Sequence, residues 1–317
     1  MSTNETGMSI ELLGPLQVRI NHTPIMPRAA KPRQVLAVLA LNAGRVVTVP
    51  TLIEELWGDQ PPPSAQTTLQ TYILELRKRI GHALGPGQDP KWVLRTGHNG
   101  YLLDPQGGQP GASGGTAPAG WPGASGETAP VGWPGGSGGM VPPGWNDVEE
   151  FGRLAQAGRT AAESSDYRGA TDKLGRALAL WRGAALVDVR KGRVLELEAM
   201  ALEESRLSVL SRRIDADLAL GRHADMLGEL TALAARYPLD ECFSAQLITA
   251  LYRTGHTARA LQVFQRLRSA LVEELGIEPS PQLQRLQRAI LSRDPSLDVA
   301  APPHGEHHLR HAIARGA

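Results

Sequence analysis

The most legible chemistry lies in one stretch, SAQTTLQTYILELRKRIG, residues 64–81. Leu69, Ile73, Leu76 and Ile80 recur at spacings of four, three and four, which predicts a helix with one apolar face. At about 100° per residue, Thr67, Thr71, Leu74 and Lys78 point the opposite way. Gln70 and Arg77 flank them on one side and Glu75 on the other. Threonine and glutamine hydrogen-bond base edges in a DNA major groove, and a leucine can touch a thymine methyl. Arg77, Lys78 and Arg79, near the end of the helix, supply cations for phosphates. Ser64 stands where an N-cap belongs. The base-facing candidates are therefore Thr67, Gln70, Thr71, Leu74 and Lys78. Taken alone, the stretch fits an ordinary amphipathic helix with a solvated Arg-Lys-Arg run equally well.

Other chemistries find less support. Gly111–Gly115 and Gly135–Gly139 both match G-x-S-x-G, but a serine nucleophile needs a strand before it and a helix after it, and neither is present. His307 and His311 are four apart, as a metal clamp on a helix would need, but they read as part of a solvated, frayed tail. The single cysteine, Cys242, excludes an internal disulfide framework and reads as a small helix-packing residue. There is no G-x-x-x-x-G-K-[ST] phosphate loop. No catalytic residue, metal or cofactor is expected.

The elements around residues 64–81 are those that hold such a helix in place. Ile10–Ile20 alternates about Gly14-Pro15 and reads as a bent or paired strand, with Pro24–Pro27 as a short second edge. A heavily apolar core helix begins at Pro32 and ends at Gly44. Thr48 precedes Pro50, Thr51-x-x-Glu54 fits a capping box, and a short helix runs to Trp57-Gly58. After the third helix, Lys91–Arg95 and Tyr101–Leu103 read as strands joined by a Gly/Asn turn. Three helices with the third exposed, then a hairpin, predict a winged helix-turn-helix. Its wing tip would offer Arg95, Thr96, His98 and Asn99 to a DNA backbone or minor groove.

The chain has 317 residues and 33 Lys or Arg against 32 Asp or Glu, so it is no histone-like polycation. Residues 1–104 carry ten basic and eight acidic residues. Residues 105–146 hold 22 Gly or Pro and one charge, Glu127. Within them GASGGTAPAGWP, GASGETAPVGWP and GGSGGMVPPGWN repeat every twelve residues, with Trp121, Trp133 and Trp145 in phase. Such composition predicts a flexible linker with a root-mean-square span of roughly 35 Å. Replication slippage accounts for the repeat; docking of the tryptophans on a partner is the sharper alternative. Residues 147–294 read as helix, short break, helix, and GRHADML at 221 recurs as GHTARAL at 255, the 34-residue tetratricopeptide period. Ala224, Ala234, Ala258 and Ala260 are expected to let those helices approach closely. Residues 295–317 read as a disordered, His-rich tail. The fold class expected is mostly α, with an N-terminal α+β winged helix and a C-terminal all-α helical repeat. No signal peptide and no apolar run long enough for a membrane span are visible, so a cytoplasmic setting is expected.

The segments LLGPLQV (12–18), KPRQVLAVLALNAGRVV (31–47), LIEELWG (52–58), PPPSAQTTLQTYILELRKRIG (61–81) and GYLL (100–103) resemble the DNA-binding domain of the Streptomyces antibiotic regulatory protein (SARP) family, a branch of the OmpR/PhoB-type winged helices. FGRLAQAGRTAAESSDYRGATDKLGRALALWRG (151–183), GRHADMLGELTALAARYPLD (221–240) and ALVEELGIEPSPQLQRLQRAILSRDP (270–295) resemble that family's bacterial transcriptional activation domain. The resemblance implies that the helix from Ser64 enters the major groove and that the end of the second helix, at Trp57, rests on phosphates. It implies a transcriptional activator of a secondary-metabolite gene cluster that binds direct repeats as a side-by-side pair. It also implies contact with RNA polymerase and its sigma factor, and places the turn Asn42–Val47 where this class touches polymerase. The family's Arg at the positions of Leu74 and Glu75 is absent, so base preference does not carry over. A non-enzymatic scaffold or adaptor, and a repressor with the same DNA chemistry, remain as alternatives.

Overall fold

A computed structural model describes residues 7–105 and 145–297. The linker repeats before Trp145, and the histidines of the tail, lie outside the described residues. The chain forms two compact units, Met1–Arg153 with Ala179–Arg206, and Leu154–Leu178 with Leu207–Ala317.

The first unit opens on strands β1 (Met8–Glu11), β2 (Gln17–Ile20) and β3 (Thr23–Pro24), paired antiparallel in that order. Helix α1 (Ala30–Leu41) follows and is buried along most of its length, as its apolar composition demands. Strand β4 (Val46–Thr48) leads into α2 (Val49–Trp57). Thr48, not Thr51, caps α2: its hydroxyl accepts from Thr51 N at 3.3 Å. Helix α3 (Ala65–Leu84) buries Leu69, Ile73, Leu76 and Ile80 on one face. The wing consists of β5 (Leu94–Gly97) and β6 (Gly100–Leu103), with β6 also paired to β4. Strand β5 starts later than the sequence pattern suggests, because Pro90–Trp92 forms a short 3-10 turn. Asn99 turns the wing tip with φ +56°, a conformation asparagine tolerates.

Residues far along the chain complete this unit. Trp145, at the end of the Gly/Pro-rich segment, is buried in its core together with Leu186, Val189 and Leu195. Trp145 O accepts from Ile10 N at 2.6 Å. Asp147 accepts from the backbone N–H of Leu12 and Leu13 at 2.8 and 2.9 Å, and from Arg182 at 3.2 Å. Its pKa is nonetheless raised, because burial opposes the charge more strongly than these donors favour it. Asp188 takes the Leu16 N–H at 2.7 Å and Arg33 at 3.1 Å. Glu55, 2% exposed, accepts from Gln34 Nε2 at 2.7 Å, Gly192 N at 2.6 Å and Leu195 N at 2.9 Å. These carboxylates satisfy backbone donors that no strand or helix serves, as buried N–H groups require.

Helices α4 (Asp147–Glu163), α5 (Tyr167–Ala179) and α6 (Arg193–Ala219) share their residues between the two units. The second unit continues with α7 (His223–Arg236), α8 (Glu241–Arg253), α9 (Thr257–Leu275) and α10 (Pro281–Ser292). The starts of α7 and α9 are 34 residues apart, matching the repeat read from sequence. Its core is aliphatic with two phenylalanines, Phe243 and Phe264. Ala260 is fully buried between these helices, whereas Ala224 and Ala258 are exposed and contribute no close approach. Cys242 is exposed too, its Sγ 3.0 Å from Ser211 Oγ, rather than a core-packing residue. Pro295–Leu297 forms a short 3-10 turn, and Arg253 donates to Leu297 O at 2.9 Å. The fold is thus mostly helical, a winged helix followed by an all-α repeat. No helix among the described residues is long and apolar enough to cross a membrane.

Candidate nucleic-acid interface

Helix α3 is held from behind by its buried row of Leu69, Ile73, Leu76 and Ile80, so its opposite face is fixed outward. Thr67, Gln70, Thr71, Leu74 and Lys78 are all exposed on that face. At about 1.5 Å per residue they span roughly 16 Å along the helix axis. Leu74 is 53% exposed, an uncovered large apolar side chain in the middle of a polar row. Thr71 Oγ1 donates to Thr67 O at 3.1 Å, which leaves its lone pairs open as acceptors. Lys78 makes no ion pair among the described residues and is open to an external anion.

The arginines are engaged differently. Arg77 donates through Nε and Nη2 to Leu94 O at 3.1 and 2.9 Å, and through Nη2 to Thr96 Oγ1 at 2.8 Å. It ties α3 to the root of the wing. Arg79 pairs with Glu75 at 3.1 Å and donates to Met26 O at 3.1 Å. Arg95 is half-buried, donates to Trp92 O at 3.1 Å and pairs with Asp104 at 2.8 Å. These three guanidinium groups hold the scaffold with donors a phosphate would otherwise take. Sequence spacing gives no sign of Leu94, Thr96 and Met26 as partners, which are 17 to 53 residues away.

At the wing, Thr96, His98 and Asn99 are exposed. Ser64 occupies the position before α3, but its side chain caps nothing, and Thr68 N bonds its carbonyl instead at 2.9 Å. Trp57 is half-buried at the end of α2, with Lys31 Nζ 4.6 Å above its ring. Lys31 was not among the residues singled out by spacing; its lysine-over-indole geometry arises only when α1 and α2 fold together. No cluster of His, Cys, Asp and Glu among the described residues could hold a metal.

Comparison with known proteins adds an independent line. The pattern of the transcriptional regulatory protein C-terminal domain matches residues 26–103, and that of the bacterial transcriptional activator domain matches residues 146–291. The regulatory protein DnrI of Streptomyces peucetius is 46% identical over 297 residues, spanning 93% of this chain and 96% of that protein. The transcriptional regulator RedD of Streptomyces coelicolor is 32% identical, over 92% of this chain and 73% of that one. The solved structure of Mycobacterium tuberculosis EmbR in complex with a low-affinity phosphopeptide superposes with a TM-score of 0.74 at 32% identity. That match covers 91% of this chain and 66% of EmbR.

Proposed function

The chain belongs to the Streptomyces antibiotic regulatory protein family of transcriptional regulators, and from that premise we propose that it activates a secondary-metabolite gene cluster by reading promoter DNA with α3. The observation that carries this reading is the exposed row Thr67, Gln70, Thr71, Leu74 and Lys78, backed by a buried row on the same helix. Polar and methyl-complementary side chains on a rigidly mounted helix are what direct readout requires. The wing residues Thr96, His98 and Asn99 then meet the backbone or minor groove. Lys78 supplies part of a salt-dependent affinity.

With a net charge of +2 across residues 1–104, a single copy holds DNA weakly. Two copies on direct repeats add their binding energies, and contact with RNA polymerase and its sigma factor adds more. The exposed Val46, at the start of β4, offers a site for that contact.

Footprinting across a salt series, on promoters neighbouring the gene, tests the reading. A protected pair of direct repeats spaced near one helical turn is the expected result. Retention without a footprint, or none, would refute sequence reading and favour a scaffold role. In-vitro transcription fixes the sign: a fall in transcript on addition of the protein would make it a repressor.

A further inference from the structure

The first unit carries a strip of positive charge that its winged helix supplies only in part. An open cleft of about 450 Å³ surrounds the end of α2, lined by Lys31, Trp57 and Gln60 and by Arg190, Lys191 and Arg193. Two carboxylates also border it, Glu54 and Glu55. Glu55 is fully occupied by Gln34 and by the N–H groups of Gly192 and Leu195. Glu54 reaches Arg193 only at 3.9 Å, with both side chains largely exposed. Arg190 and Lys191 make no ion pair among the described residues. Arg190 and Arg193 are thus exposed, and Lys31 and Lys191 half-buried, around one indole, and Arg193 alone of the four pairs, loosely, with a carboxylate among the described residues.

The strip is pinned in place. A Cβ added at Gly192 would lie 2.1 Å from Glu55 O, so the backbone of residues 191–193 runs against α2 as closely as glycine permits. Its position relative to α3 follows. Trp57, Gly58 and Gln60 line the cleft, and the chain enters α3 only five residues later, at Ala65. The cleft thus flanks the N-terminal end of the helix that presents Thr67. In helix-turn-helix proteins the first helix of the pair crosses the DNA backbone while the second lies in the groove. A duplex seated on α3 brings a phosphate strand past the end of α2.

We propose that Arg190, Lys191 and Arg193, together with Lys31, form a phosphate cradle that grips the DNA backbone beside the site read by α3. This rests on the DNA-reading function above and extends the contact surface to residues beyond the matched stretch 26–103. The residues that widen the footprint belong to the part of the chain matched as an activator domain.

The test uses the full chain and a mixed-sequence duplex of about 40 base pairs, with affinity measured by anisotropy between about 50 and 300 mM salt. Arg190→Ala with Lys191→Ala should lower the slope of log affinity against log salt by up to about 1.8, and weaken binding about thirty-fold near 0.15 M salt. Arg190→Lys with Lys191→Arg, which keeps both charges, should leave slope and affinity as in the parent. Lys78→Ala serves as the control for the α3 face. A double-alanine variant with an unchanged slope beside a responsive Lys78→Ala overturns the cradle alone. Loss of slope in the charge-keeping variant also overturns it, since shape rather than charge would then matter. No binding by the parent overturns the DNA reading and the cradle with it. Unchanged DNA binding but lost transcription with polymerase would assign the strip to a protein partner, against the proposal.

Discussion

Glu55 gives the sharpest quantitative test of how the first unit is held together. Its carboxylate accepts from Gly192 N at 2.6 Å and Leu195 N at 2.9 Å, both beside the start of α6, where a negative charge also suits the helix dipole. Glu55→Ala leaves both N–H groups without an acceptor. A buried donor so stranded costs about 1–3 kcal/mol, giving a loss of about 4 kcal/mol for the pair. Gln34 keeps one partner, since its Nε2 also donates to Glu55 O at 2.8 Å. Glu55→Gln preserves volume and one acceptor, and about half that loss is expected. Trp57, Trp92, Trp145 and Trp181, the tryptophans among the described residues, all lie in the first unit, so tryptophan emission reports on its unfolding. With a urea dependence of about 2 kcal/mol per molar, the emission midpoint should fall by about 2 M for Glu55→Ala and about 1 M for Glu55→Gln. A shift below about 0.3 M for Glu55→Ala would refute the assignment of Glu55 as the anchor of residues 192–195.

Three further outcomes are expected. A fragment ending at Asp104 lacks Trp145, Leu186, Val189 and Leu195, whose burial stabilises by about 1.5–3 kcal/mol each, comparable with the whole stability of a domain. It should bind a hydrophobic dye and unfold without a sharp transition; a urea midpoint equal to that of the full chain would contradict this. Leu74→Ala, at an exposed position, should change stability by less than about 0.5 kcal/mol while weakening promoter binding several-fold; equal loss of both would place Leu74 in the core instead. Burial, with Arg253 nearby, holds the His223 imidazole below its usual range. The unfolded chain then binds the extra proton, so stability should fall as pH drops through about 6.5, the unfolded value. Thermal unfolding of His223→Gln, followed by circular dichroism, should lose this acid-side decline; an unchanged pH profile would count against it.

Much of the candidate interface is legible in the sequence because it depends on local periodicity. The four-three-four spacing of Leu69, Ile73, Leu76 and Ile80 determines which face of α3 is buried, and so which five residues face out. The Asn99 turn is equally local. What escapes is whatever depends on partners distant in the chain. Nothing near Arg77 reveals that Leu94 O awaits it, or near Glu55 that Gly192 will abut it. Trp145 shares the phase of the linker repeats, and nothing in that phase tells that it is a core residue bonded to Ile10. Ala224 and Ala258 fit a repeat consensus, yet a small residue marks a close contact only where the opposing helix arrives.

The two ends of the Gly/Pro-rich segment merit a final consequence. The chain leaves the first unit after the wing, at Asp104, and rejoins the same unit at Trp145. The segment is therefore an insertion with both anchor points on one body, not a tether whose length sets the reach of one body from another. For such an insertion the closure cost varies with the logarithm of length, about 0.6 kcal/mol for each halving. A gain or loss of one twelve-residue repeat then changes folding stability by a fraction of that amount. Repeat number can then change without moving α3, because Asp147 fastens the returning chain to Leu12 and Leu13.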